Sequence, residues 1–276
     1  MQVLSDGSLL TGGWERSCRW DLETGALIRR YEGKPTTAVN WMTLASPDER
    51  RIVAGYGNLT LAFYDAKDGR VIAEHETDGI ITSVSIDAAG KRALTGQPQK
   101  KIRLWDLETG APLATLKAPR SYCWKVALSN DGALAVSASG SDKLVHVWDL
   151  REEKELAPLE GHTKAIDVLV FAPDGQTLAS GSNDGTVRLW TCTASERAPL
   201  ATLTGHKKAI TGVAFAPDGA RIASSSADGT VRIASLANSE ALEVLGVDEP
   251  LTCVTFARDG RLIAGGKQVH IWDPST

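Results

Sequence analysis

The chain has 276 residues, 42% of them hydrophobic, and a net charge of −4 at neutral pH. That balance supports a sizeable core and gives no electrostatic pull towards nucleic acid, whose phosphates demand a basic face. No apolar run reaches the length of a membrane helix and no stretch reads as a secretion signal, so neither nucleic acid nor membrane is an expected partner.

Seven segments follow one another along the chain, each closing on an aromatic residue or its substitute. The marks are Trp20, Tyr64, Trp105, Trp148, Trp190, Ala234 and Trp272. They recur with a nearly constant period of roughly 40 residues, which is the length of one four-stranded repeat unit. The first segment, residues 1–31, holds the turn "SDG" at 5–7 and "LETG" at 22–25. The second, 32–75, substitutes Tyr64 for the tryptophan. The third, 76–116, reads "KIRLW" up to Trp105 and repeats "LETG" at 107–110. The fourth, 117–159, has "NDG" at 130–132 and "LVHVW" up to Trp148. The fifth, 160–203, and the sixth, 204–245, share "PDG" turns and the core "DGTVR", but the sixth ends on Ala234. The seventh, 246–276, holds "RDG" at 258–260 and stops shortly after Trp272.

Apolar residues alternate with polar ones before each mark, as in "TVRLW", which is the period of a half-buried strand. Asp opens each turn by accepting backbone N–H groups, and Gly supplies the positive φ of a tight hairpin. Each segment therefore predicts four short antiparallel strands, with no convincing helix between them. A lone sheet that is apolar on both faces must stack against others like itself, and seven such sheets predict a single all-β domain over 1–276, a seven-bladed β-propeller. The first blade lacks the start of its first strand and the last lacks a fourth strand. One upstream segment of roughly 15–20 residues, judged from the repeat period, would explain both. An extension before Met1, or a fragment of a longer chain, is the expectation; without one, "KQVHIW" would present an unpaired edge.

Cys18, Cys123, Cys192 and Cys253 each stand in a different repeat, without CxxC spacing. Buried free thiols in a reducing, cytoplasmic compartment are expected, with no disulfide and no metal site. No Gly-rich phosphate loop, nucleophile elbow or zinc-protease helix motif is present, and "GYGNLT" at 55–60 lacks both a third glycine and a following helix. Neither catalytic residues nor a cofactor is expected.

"GH" at 161–162, "PDG" at 173–175, "LASGS" at 178–182, "DG" at 184–185 and "VRLW" at 187–190 resemble the WD-repeat β-propeller family. The resemblance covers essentially the whole chain and is sharpest in blades five and six. It implies a hydrogen-bonded chain inside each blade, made in blade five by His162, Ser180, Asp184 and Trp190. Although Ser, His and Asp are also triad residue types, their place inside a sheet makes the implied role structural.

Blade six keeps His206, Ser224 and Asp228, and the spacing from His206 to Ala234 equals that from His162 to Trp190. Ala234 therefore stands where an indole would, a loss of about 3–5 kcal/mol by analogy with Trp-to-Ala core changes unless neighbours fill the space. Blade five is expected to be the most rigid and blade six locally soft. Blade three aligns Thr77, Thr95, Gln99 and Trp105 without a histidine, and blade seven offers Val247 and Gly266.

The resemblance also implies a protein- or peptide-binding scaffold, with partners held on the rim where the innermost strands begin. Counting from the turns places Val39, Ile80, Tyr122, Ala165, Ala209 and Pro250 at one set of rim positions. A second set is Trp41, Thr82, Trp124, Asp167, Thr211 and Thr252. Trp41, Tyr122 and Trp124 are candidate anchors, since aromatic rings offer large area at small rotamer cost; plugging a channel or filling gaps between blades is the competing role. Arg120, Lys164, Lys207 and Lys208 could frame the site for an acidic segment or simply be solvated. A small-molecule or glycan pocket with Asp167 beside the tryptophans is an alternative. So is the sensing or scaffolding end of a larger regulatory protein.

Overall fold

The computed structural model describes residues 2–12, 17–31, 40–98, 101–117, 123–140, 142–257 and 259–273, the side chains at 40 and 41 excepted. Among these residues every regular element is a strand. They form seven antiparallel sheets, each built from strands consecutive in the chain and paired in chain order. This is the all-β, seven-bladed propeller fold that the repeat predicts.

Blade one comprises Gln2–Val3, Leu9–Gly12, Ser17–Trp20 and Leu27–Tyr31, and its first strand is the shortest. Blade two comprises Asn40–Ala45, Arg51–Tyr56, Thr60–Asp65 and Val71–Glu76. Blade three has Ser83–Ile86, Arg92–Gln97, Lys101–Asp106 and Pro112–Lys117. Blade four has Cys123–Leu128, Leu134–Ser139, Val145–Asp149 and Lys154–Leu159. Blade five runs through Ile166–Phe171, Thr177–Ser182, Val187–Cys192 and Arg197–Leu203. Blade six runs through Ile210–Phe215, Arg221–Ser226, Thr230–Ser235 and Ala241–Gly246. Blade seven holds three strands among the described residues, Cys253–Phe256, Leu262–Gly265 and Val269–Trp272.

The chain divides into two compact units, Met1–Ser137 and Ala138–Thr276, with the boundary inside the second strand of blade four. In the first unit the core lies between neighbouring sheets. Leu10 and Tyr31 of blade one pack with Ile52, Ala62 and Tyr64 of blade two, and Phe63 on the opposite face of blade two packs with Val84, Ala93 and Trp105 of blade three. In the second unit Ala179, Val187 and Leu189 of blade five meet Ile210, Val213 and Ile222 of blade six. The other face of blade six, with Ala223, Val231 and Ile233, meets Val254, Leu262 and Ala264 of blade seven. These second strands are buried on both sides, which is why "LASGS" and "IASSS" carry small residues. Gly181 shows the limit: a Cβ there would stand 2.7 Å from Ile210 of the next blade.

Two irregularities recur. The pairing of third and fourth strands shifts register at the mark residue, between Arg19 and Trp20, Phe63 and Tyr64, Leu104 and Trp105, Leu189 and Trp190, and Ile233 and Ala234. The pairing of first and second strands shifts at the start of the first strand, across Trp41, Asp167 and Thr211. A bulge of this kind leaves one residue unpaired and re-aims its side chain.

Candidate functional site

In blade five the GH turn brings His162 against the second strand and the hairpin that follows it. Nδ1 of His162 lies 2.9 Å from Oδ2 of Asp184, and Nε2 lies 2.8 Å from Oγ of Ser180. Trp190 donates its Nε1–H to the same Ser180 oxygen at 2.8 Å. With Nδ1–H donating to the carboxylate, Nε2 accepts the serine hydroxyl proton, and the serine oxygen in turn accepts from the indole. Each polar atom of this network has a complementary neighbour. Asp184 also accepts the Thr163 and Thr186 amides and the Thr186 hydroxyl. Burial pushes the His162 imidazole below its ordinary value, with Asp184 pulling partly against it. Burial also raises the Asp184 carboxyl, but the hydrogen bonds from Thr186, Thr163 and His162 outweigh it and hold the group well below the carboxylate range.

Blade six repeats this as far as the serine. His206 Nδ1 lies 3.1 Å from Asp228, His206 Nε2 lies 2.9 Å from Ser224 Oγ, and Thr230 supports Asp228 as Thr186 does Asp184. Ala234 is 7% exposed and has no polar group to offer Ser224. A cavity of about 200 Å3 opens there, lined by His206, Ser224, Arg232 and Ala234 among others. Neighbouring side chains do not fill the indole's place.

The remaining blades solve the same problem with other residues. Trp20 and Trp105 donate to Thr11 and Thr95, each at 2.9 Å, while in blade two the hydroxyls of Tyr56 and Tyr64 meet at 2.7 Å. Gln99 lies outside the described residues. Thr77 bonds the Leu59 and Gly79 carbonyls, and His75, from the fourth strand of blade two, packs its ring 4.9 Å from that of Trp105. In blade seven Val247 and Gly266 bring no polar side chain, and Glu249 supplies a carboxylate. It accepts from the Lys267 and Gln268 amides and meets Nε2 of His270 at 2.9 Å.

His146 and His270 are site residues that the spacing rule did not single out. Each stands two positions before its tryptophan, and His146 bridges Asp142 and Glu155 at 2.8 and 3.0 Å. The signal was present as "VHVW" and "VHIW". The same position holds Arg103, Arg188 and Arg232 in blades three, five and six. There the guanidiniums of Arg188 and Arg232 crowd Gly161 and Gly205 so closely that a Cβ on either glycine would collide with them.

Of the rim candidates, Trp41, Asp167 and Thr211 are the unpaired residues of the first-strand bulges, and Trp124 occupies the matching second position of its strand. Trp124 is 46% exposed. Tyr122 and Arg120 lie outside the described residues, as does the Trp41 side chain. In the second unit Lys164 and Lys208 are exposed and Asp167 is half-buried. Their loops are pinned: Ser182 Oγ bonds the Lys164 and Ala165 carbonyls, and Ser226 Oγ bonds that of Lys208. No helix of the described residues is long and apolar enough to cross a membrane, and no group of three or more His, Cys, Asp or Glu among them is placed to hold a metal ion.

The blade-internal network and the repeat define a WD-type propeller. The WD domain, G-beta repeat family matches residues 67–106, 110–149, 153–191 and 197–234, more than half of the chain, and the chain belongs to that family. Each match joins the fourth strand of one blade to the first three of the next, and the last ends on Ala234. Among curated relatives, the chain is 26% identical to Autophagy-related protein 16 of Arabidopsis thaliana, over 65% of this chain and 35% of that protein. It is 32% identical to Protein groucho of Drosophila melanogaster over 42% of this chain and 16% of that one. It is 30% identical to the U3 small nucleolar RNA-associated protein 15 homolog of Xenopus laevis, over 67% and 36% of the two chains. The chain thus spans about a third or less of the length of these relatives.

Proposed function

We propose that this chain is a non-catalytic platform that captures a protein or peptide at the leading ends of its first strands. The observation that carries the reading is the recurrent bulge there. In blades two, five and six the bulge releases one residue, Trp41, Asp167 and Thr211 respectively, from the ladder at the entry to the first strand. In the first unit Trp41 stands at the blade-two bulge and Trp124, 46% exposed, at the second position of the first strand of blade four, and an exposed tryptophan on a strand is a strong anchor. In the second unit Lys164, Asp167 and Lys208 supply charge at pinned loops, suited to an acidic or mixed-charge segment.

A structural role for the His–Ser–Asp chain supports the absence of catalysis. The side chains of His162 and Asp184 are only 1% and 7% exposed, so a substrate has no approach to them. The net negative charge favours a protein partner over RNA, although one relative is named as RNA-associated.

Affinity capture from a cell extract, comparing the parent chain with the Trp41→Ala/Trp124→Ala double variant, tests the proposal. The double variant is expected to lose the captured protein while keeping its unfolding transition. Unchanged capture by a folded double variant, or capture of RNA alone, would overturn it.

A further inference from the structure

We infer that blade six carries a binding pocket for a small planar heteroaromatic with a ring N–H, seated where an indole side chain sits in blade five. The backbone there is that of blade five. Trp190 pairs with Pro199 and Ala234 with Ala241, each immediately after a register shift, and Leu200 and Leu242 are the corresponding extra residues. The GH histidine precedes the mark by the same interval in both blades. The backbone matches that which holds an indole in blade five, alanine stands at the indole's position, and a cavity of about 200 Å3 lies there. An apolar cavity of about 150 Å3 is already enough to admit benzene.

The lining selects the guest. Leu203, Ile233 and Ala234 give apolar contact, with Thr202 and Thr204 beside them. Ser224 uses its hydroxyl hydrogen toward His206 Nε2 at 2.9 Å, or at 3.5 Å toward the Arg232 carbonyl, and no donor among the described residues takes the indole's place at its oxygen. In blade five that oxygen accepts the Trp190 N–H. Arg232 borders the cavity, and its Nε is buried without an acceptor among the described residues, as is that of its counterpart Arg188 in blade five. A guanidinium beside an empty slot favours the face of an aromatic ring. Shape, one acceptor and one cation together describe an indole-like guest. This pocket belongs to the second unit and does not depend on the platform proposed above.

Indole is the probe, with benzofuran, which replaces the N–H by oxygen at nearly the same shape, as its control. Both are titrated into the parent chain and followed by amide chemical shifts and by thermal unfolding. Indole is expected to bind saturably with shifts centred on blade six, about three- to tenfold tighter than benzofuran, the range of one neutral hydrogen bond. The Ala234→Trp chain is expected to melt higher and to lose the indole response. Absence of a saturable indole response, equal binding of the two probes, or an undiminished response in folded Ala234→Trp would each overturn the inference. The comparison of probes uses the parent chain and so does not depend on how the variant folds.

Discussion

Replacing Trp190 by Ala separates the two contributions of the mark residue. The side chain is 2% exposed and packs in the blade-five sheet, and its N–H satisfies an oxygen on Ser180, which is itself fully buried. Losing the packing costs about 3–5 kcal/mol for a buried Trp-to-Ala change. Losing the bond costs about 0.5–1.5 kcal/mol. Packing should therefore dominate, and Trp190→Phe, which keeps most of the ring and drops the donor, should cost about 1–2 kcal/mol, less than Trp190→Ala. Urea unfolding followed by tryptophan-independent circular dichroism gives both values from the shift in midpoint. A Phe variant as unstable as the Ala variant would refute the ranking. A loss under about 1 kcal/mol for Trp190→Ala would show that the network does not hold the blade together.

Two further outcomes follow from ionisation. Burial depresses the imidazoles of both His162 and His206, so between their folded values and the ordinary one near 6.5 the unfolded chain binds more protons than the folded chain. Stability contributed this way is complete above about pH 6.5 and is lost as pH falls through the depressed values; Asp184 and Asp228, also depressed, add a second loss below about pH 4. The urea midpoint should fall from about pH 7.5 to about pH 5.5, and His162→Gln/His206→Gln should flatten that drop. A parent midpoint that rises instead contradicts buried neutral imidazoles. Burial likewise pushes the Cys123 and Cys192 thiols up to about 12, so both should resist a thiol reagent at about pH 8 while Cys18 and Cys253, only half-buried, react first. Mass mapping of the first modified site checks this, and early labelling of Cys192 would contradict it.

Spacing made the fold and the best blades legible. The mark interval, the Asp-Gly turns and the alternation before each mark are local properties of the chain, and strand pairing in chain order needs nothing else. The network of blade five was readable through the family resemblance, whose motif His162, Ser180, Asp184 and Trp190 match at fixed offsets within one repeat. Ala234 was readable as a deletion for the same reason. The histidines at 146 and 270 were not, because their acidic partners come from other offsets: Asp142 and Glu155 for one, Glu249 for the other. In blade three, His75 reaches Trp105 from the preceding blade, a contact between sheets that no single repeat contains. The bulges were hidden as well. An extra residue shifts alternation by one place at the very start of a strand, where the pattern is too short to show it.

The central functional claim concerns which surface meets the partner, and the chain offers a rival within the first unit. Leu113, on the fourth strand of blade three, is 51% exposed, comparable with Trp124 at 46%. A photoreactive phenylalanine analogue placed separately at 124 and at 113, irradiated with the captured partner bound, tests the two surfaces directly. The account predicts a cross-link from position 124 and none from 113. A cross-link from 113 with none from 124 would contradict it.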